Sequence, residues 1–228
     1  MAEPNPEELL NLGMLSYDKQ DFSKARKYFE KACDLKDSRG CGVLGLLYEN
    51  GEGVEKNLTK AAQFYSKACD LKDGRGCDEL GRLYYYGRGV EKNSKKATYF
   101  YYKACELNNG SGCSGLGFLY RSGEGVEKNL IKAAYLYSKA CQLKDGMGCK
   151  NLGALHYNGE GVEKNLIKAA QFYSKACDLK EGDGCGALGG LYYNGDGVKQ
   201  DFKKAVALFK KACKLGYQLA CEMLKELK

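Results

Sequence analysis

Apolar residues recur along this chain with helical spacing, in two alternating versions. In the first, as in CDELGRLYYYG from Cys77 and CSGLGFLYRSG from Cys113, the third, sixth and seventh residues after the cysteine are apolar: Leu80, Leu83 and Tyr84, then Leu116, Leu119 and Tyr120. That i, i+3, i+4 spacing marks one face of a helix, predicted to begin near the cysteine. In the second version, Leu58, Ala61, Phe64, Tyr65 and Ala68 line one side of a segment whose other side carries lysines, which predicts an amphipathic helix. A small polar residue stands at the start of each such segment: Asp21, Asn57, Asn93, Asn129, Asn165 and Asp201. All six can accept from a first-turn N–H, so all six are predicted N-caps. A G-x-G-V turn, as in Gly51 to Val54 and Gly87 to Val90, joins the two helices. The mid-helix glycines Gly45, Gly81, Gly117, Gly153 and Gly189 each cost about 1 kcal/mol relative to alanine. They predict close approach by a neighbouring helix.

The pair of helices repeats every 36 residues. Such a period is the signature of a solenoid, in which each supersecondary unit covers the apolar face of the next. The chain divides into a short first unit (7–38), five full repeats (39–74, 75–110, 111–146, 147–182 and 183–218) and a capping helix (219–228). They are expected to form one solenoid domain spanning 1–228. The ends differ from the middle. Pro4 and Pro6 are read as preceding the first helix, and Tyr17-Asp18-Lys19-Gln20 replaces the glycine loop of the first unit. After Cys221, Leu224 and Leu227 remain for packing, while Glu222, Lys225, Glu226 and Lys228 close the stack with charge.

All twelve cysteines fall on the same period, as C-x7-C pairs. In each pair the first ends one helix and the second starts the next, so the two meet at a corner. Twelve cysteines allow many connectivities, but only pairing within each C-x7-C repeats with the structure: Cys33–Cys41, Cys69–Cys77, Cys105–Cys113, Cys141–Cys149, Cys177–Cys185 and Cys213–Cys221. Zinc sites use tighter spacings and group four ligands, and redox motifs use C-x-x-C, so neither a metal nor another cofactor is expected. A regular oxidised set belongs outside the reducing cytosol. A secreted or periplasmic protein is therefore expected, with a leader removed upstream of the present Met1. No apolar run is long enough to span a membrane. The net charge of +7 is spread over every repeat without an arginine-rich block, so no nucleic-acid partner is expected. A monomer is.

L-G-x-L-Y in the first helix and K-A-A-x-F-Y-x-K-A in the second, with the G-x-G-V insertion, resemble Sel1-like repeats, a stretched form of the tetratricopeptide pattern. Adding A-C-D-L-K-x-x-x-G-C, residues 7 to 228 closely resemble the Helicobacter cysteine-rich protein family. The resemblance implies an all-α, right-handed superhelical solenoid of disulfide-bridged helix pairs, export, and interaction with a host. It also implies penicillin binding with weak β-lactamase activity.

The residues give that activity little support. Ser16-Tyr17-Asp18-Lys19 reads S-x-x-K but lacks the accompanying S-D-N and K-T-G motifs. The single histidine, His156, takes the place held by Tyr48, Tyr84, Tyr120 and Tyr192, and is expected to pack as they do. No catalytic residue is assigned.

One stripe of the first helix varies between repeats: Arg39, Gly42, Leu46 and Glu49; Arg75, Asp78, Arg82 and Tyr85; Ser111, Ser114, Phe118 and Arg121; Met147, Lys150, Ala154 and Tyr157; Asp183, Gly186, Gly190 and Tyr193. Its offsets put it on one side of the helix, away from the core positions. Aromatic and arginine side chains dominate binding hot spots. The expected ligand site therefore comprises Arg75, Asp78, Arg82, Tyr85, Ser114, Phe118, Arg121, Lys150 and Tyr157. Its expected ligand is an acidic extended peptide or protein segment, host-derived, or a peptidoglycan fragment, with a β-lactam as the alternative. Arg82 and Tyr85 are expected to be removable without loss of stability.

Overall fold

In the computed structural model, residues 5–226 are described, and they contain helices and turns without a strand. The first helices of the repeats are α1 (Pro6–Asp18), α3 (Ser38–Asn50), α5 (Gly74–Tyr86), α7 (Gly110–Ser122), α9 (Gly146–Asn158), α11 (Gly182–Asn194) and α13 (Gln218–Glu226). The second helices are α2 (Phe22–Asp34), α4 (Leu58–Asp70), α6 (Ser94–Glu106), α8 (Leu130–Gln142), α10 (Leu166–Asp178) and α12 (Phe202–Lys214). The chain forms two compact units. One runs up to Gly112 and takes in Glu124–Val126, and the other takes Cys113–Gly123 and everything from Glu127 on.

All six predicted caps accept a first-turn N–H, for example Asn57 from Lys60 and Asp201 from Lys204. The first helices, however, begin three residues before the cysteine. Asp37, Asp73 and Asp145 are their caps, and Asp73 Oδ1 accepts from Gly76 N–H at 2.7 Å. Pro6 is the first residue of α1, where its missing N–H costs nothing. Pro4, Leu227 and Lys228 lie outside the described residues. Leu224 packs on the last core cluster.

The mid-helix glycines admit an aromatic ring. A Cβ at Gly45 would lie 2.5 Å from Tyr65, and at Gly153 it would lie 2.8 Å from Tyr173. The ring lies directly on the glycine's backbone, so the contact requires that no side chain be there. In the G-x-G turn, Gly51 (φ +82°) ends α3 in the left-handed conformation. Gly53 (φ +67°) lies against the backbone of Phe22 in the preceding repeat.

Five disulfides each join the two cysteines of one C-x7-C pair. Cys33–Cys41, Cys69–Cys77, Cys141–Cys149, Cys177–Cys185 and Cys213–Cys221 span Cα–Cα distances of 4.5 to 4.9 Å. Cys105 and Cys113 are also oxidised. His156 stacks on Phe172 at 5.5 Å as Tyr84 does on Phe100, and so fills the place of a packed tyrosine.

Candidate ligand-binding site

In the first compact unit, α1, α3 and the start of α5 enclose a groove of about 870 Å³. Leu10, Met14, Val43 and Leu46 form its apolar floor, with Met14 and Leu46 roughly two-fifths exposed. Arg39, Lys72 and Arg75 stand around it. The nearest acid to Arg39 is Asp37 at 3.9 Å, and the Arg39 side chain is 60% exposed. Lys72 and Arg75 form no ion pair among the described residues. The carboxylates here are engaged: Asp73 caps α5, and Glu79 is held by Arg82 at 2.6 Å. The uncommitted charge of the groove is therefore positive.

Arg82 is placed differently from its expected role. Its Nη2 lies 2.7 Å from Glu49 Oε1, while Tyr65 donates its hydroxyl to Glu49 Oε2 at 2.9 Å and Arg88 stands 3.5 Å away. Glu49 itself is buried, with 6% exposure. Burial alone pushes its carboxyl up, but the hydrogen bonds from Arg82 and Tyr65 and the charges of Arg82 and Arg88 outweigh it and hold the group below the ordinary value. Two members of the variable stripe thus tie one repeat to the next. Removing Arg82 would leave a buried carboxylate short of its main partner, which corrects the expectation of unchanged stability.

The other expected positions divide similarly. Asp78 is half-buried, and after burial its charge is the main influence raising the Tyr101 phenol. Tyr85 points its hydroxyl at Glu124, 3.4 Å away, and Lys92 lies over its ring at 5.7 Å. Ser114 is buried and donates to Asp145, the cap of α9; its role is internal. Arg121 pairs with Glu160 at 3.1 Å and Lys150 with Asp183 at 3.4 Å, both in the second compact unit. Phe118 and Tyr157 remain exposed by 43% and 37%. Sequence reasoning missed Lys72, Met14 and Val43 because only first-helix stripe positions were considered. Arg75 is the one expected site residue that lines the groove.

Ser16 is buried and donates its hydroxyl to Leu12 O at 2.9 Å. It is not poised as a nucleophile. No helix of the described residues is long and apolar enough to cross a membrane.

The Sel1 repeat profile matches residues 39–73, 75–109, 110–145, 146–181 and 183–217. The chain belongs to the Sel1 repeat family. Its first unit, residues 6–38, matches the tetratricopeptide repeat. Within the family, the cysteine-rich Helicobacter pylori proteins are similar in sequence. HcpC of strain J99 is 64% identical over 58 residues, 25% of this chain and 20% of that protein. "Beta-lactamase HcpA" of the same strain is 55% identical over 58 residues, 25% of this chain and 23% of the relative. The matched stretch is thus about a fifth of each curated relative's length. Two solved structures share the fold. The Sel1 repeat protein from Oxalobacter formigenes has a TM-score of 0.86 at 28% identity, covering 95% of this chain and 86% of its own. The uropathogenic Escherichia coli protective antigen c5321 has a TM-score of 0.84 at 30% identity, covering 96% of this chain and 48% of its own. Both support an all-α Sel1 solenoid.

Proposed function

We propose that this Sel1 repeat protein is an interaction module of an oxidising, extracytoplasmic compartment. It holds an extended acidic segment of a partner protein across the face of α1, α3 and α5. The observation that carries this reading is the groove itself, whose apolar floor lies among Lys72 and Arg75, which form no ion pair among the described residues, and Arg39, held only by Asp37 at 3.9 Å. Guanidinium groups fix carboxylates in two-point hydrogen bonds, while the floor supplies buried apolar area. The oxidised cysteines support the compartment. A host protein is the favoured partner and a peptidoglycan peptide the other candidate. Turnover of β-lactams, the activity in one relative's name, draws no support from Ser16.

Selection of a displayed random peptide library on the oxidised protein tests the reading. Enriched sequences should carry Asp or Glu beside Leu, Met or Phe. The Arg39→Glu/Arg75→Glu variant should bind a selected peptide at least tenfold more weakly, about 1.4 kcal/mol, with an unchanged melting curve. Enrichment of basic peptides, or equal affinity of the variant, would overturn it.

A further inference from the structure

A ring-on-ring stack recurs between successive helices. Phe64 lies on Tyr48 at 5.3 Å, Phe100 on Tyr84 at 5.5 Å and Phe172 on His156 at 5.5 Å, all nearly parallel. One period after Phe172, the position is Leu208, packed beside Tyr192. Leu136 makes the same replacement but is buried, whereas Leu208 is half-buried. Beside Leu208 a cleft of about 360 Å³ opens between α10 and α12, within the second compact unit. Ala170, Leu188 and Val198 line it, and Ile167, 62% exposed, stands at its mouth. Lys204 and Lys211 are the cations of its lining and Asp178 is the one carboxylate. Lys204 Nζ is 2.7 Å from the Tyr192 hydroxyl and 4.1 Å from the ring centroid.

We propose that this cleft is a second binding site, taking an aromatic side chain of a partner peptide with an adjacent carboxylate. Three repeats show what fits there: a phenyl ring parallel to the tyrosine, or in one of them to the histidine. Lysine and ring can share one tyrosine, since Lys60 and Lys96 lie 5.3 and 5.0 Å over Tyr48 and Tyr84 while the phenylalanines stack on them. Lys204, at 4.1 Å, need withdraw by only about 1 Å to reach the position that its counterparts hold beside a stacked ring. Offset-stacked rings attract beyond their area of contact, and a cleft of this size accommodates one such side chain. The two ammonium groups against a single carboxylate favour an acidic neighbour.

The test titrates the peptide Ac-Ala-Phe-Asp-Ala-NH2 into the oxidised protein and follows methyl resonances by NMR. Saturable shifts are expected at Leu208, Val198, Ala170 and Ile167. Leu208→Phe, which supplies the ring internally as Phe64, Phe100 and Phe172 do, should weaken binding at this cleft at least tenfold without lowering thermal stability. Lys204→Gln/Lys211→Gln should abolish the preference over Ac-Ala-Phe-Lys-Ala-NH2. The Arg39→Glu/Arg75→Glu variant should show the same saturable shifts at Leu208, Val198, Ala170 and Ile167, which separates this site from the groove on α1, α3 and α5. Undiminished binding by Leu208→Phe, or equal binding of Ac-Ala-Leu-Asp-Ala-NH2, would overturn the proposal.

Discussion

Replacing Arg82 by Leu removes the main partner of Glu49, which remains buried. Breaking a fully buried pair in this way costs about 3–5 kcal/mol. Two features reduce that figure. The Arg82 side chain is 32% exposed, and Arg88 remains 3.5 Å from the same carboxylate. Together they put the expected loss at about 1.5–3 kcal/mol. Glu49→Gln keeps an acceptor for the Tyr65 hydroxyl and leaves Arg82 its bond to Glu79, so it should cost less, about 0.5–1.5 kcal/mol. The double variant should be less destabilised than the sum of the two, by about 1–2 kcal/mol, because its second substitution removes an interaction already lost. Urea unfolding of the oxidised proteins measures this cycle without the ionic screening that guanidinium introduces. The sign with pH is fixed by the lowered Glu49 value. A carboxyl that is more acidic in the folded state contributes stability at neutral pH. That contribution fades as pH falls below the ordinary carboxylate range and is gone once pH has passed the folded value. A coupling below about 0.3 kcal/mol at pH 7, within the error of additivity, would refute the reasoning, as would one that grows as pH falls below the ordinary carboxylate range.

Gly153→Ala should destabilise by about 1–3 kcal/mol through overpacking, because its Cβ would lie 2.8 Å from Tyr173; adding Tyr173→Leu should recover part of the loss in the same unfolding assay. Non-reducing peptide mapping should find only the six C-x7-C bridges and no free thiol, and Cys141→Ser/Cys149→Ser should lose about 2.5 kcal/mol by the loop-closure argument. Ser16→Ala should leave any hydrolysis of a chromogenic cephalosporin unchanged; loss of turnover together with a covalent adduct on Ser16 by mass spectrometry would restore the S-x-x-K reading.

Features that rest on neighbours along the chain were legible in the sequence. The caps Asn57 and Asp201 act three residues away, the cysteines of each pair lie eight residues apart, and the glycine and ring of each repeat keep a fixed offset. Periodicity reports such relations because every repeat restates them. Even so, counting from the cysteine put the first helices three residues late and overlooked the caps Asp37 and Asp73. The site depended on relations between repeats. Glu49 and Arg82 are 33 residues apart and occur together once, so no period marks their pairing, and a stripe that varies from repeat to repeat looks like free surface whether it faces solvent or a neighbouring repeat. The tertiary structure alone showed that Glu49 is buried, that Ser114 braces a helix cap, and that Lys72 joins Arg39 and Arg75 around one groove. Burial and charge compensation are properties of what surrounds a side chain, and in a stacked array those surroundings come from the adjoining repeat.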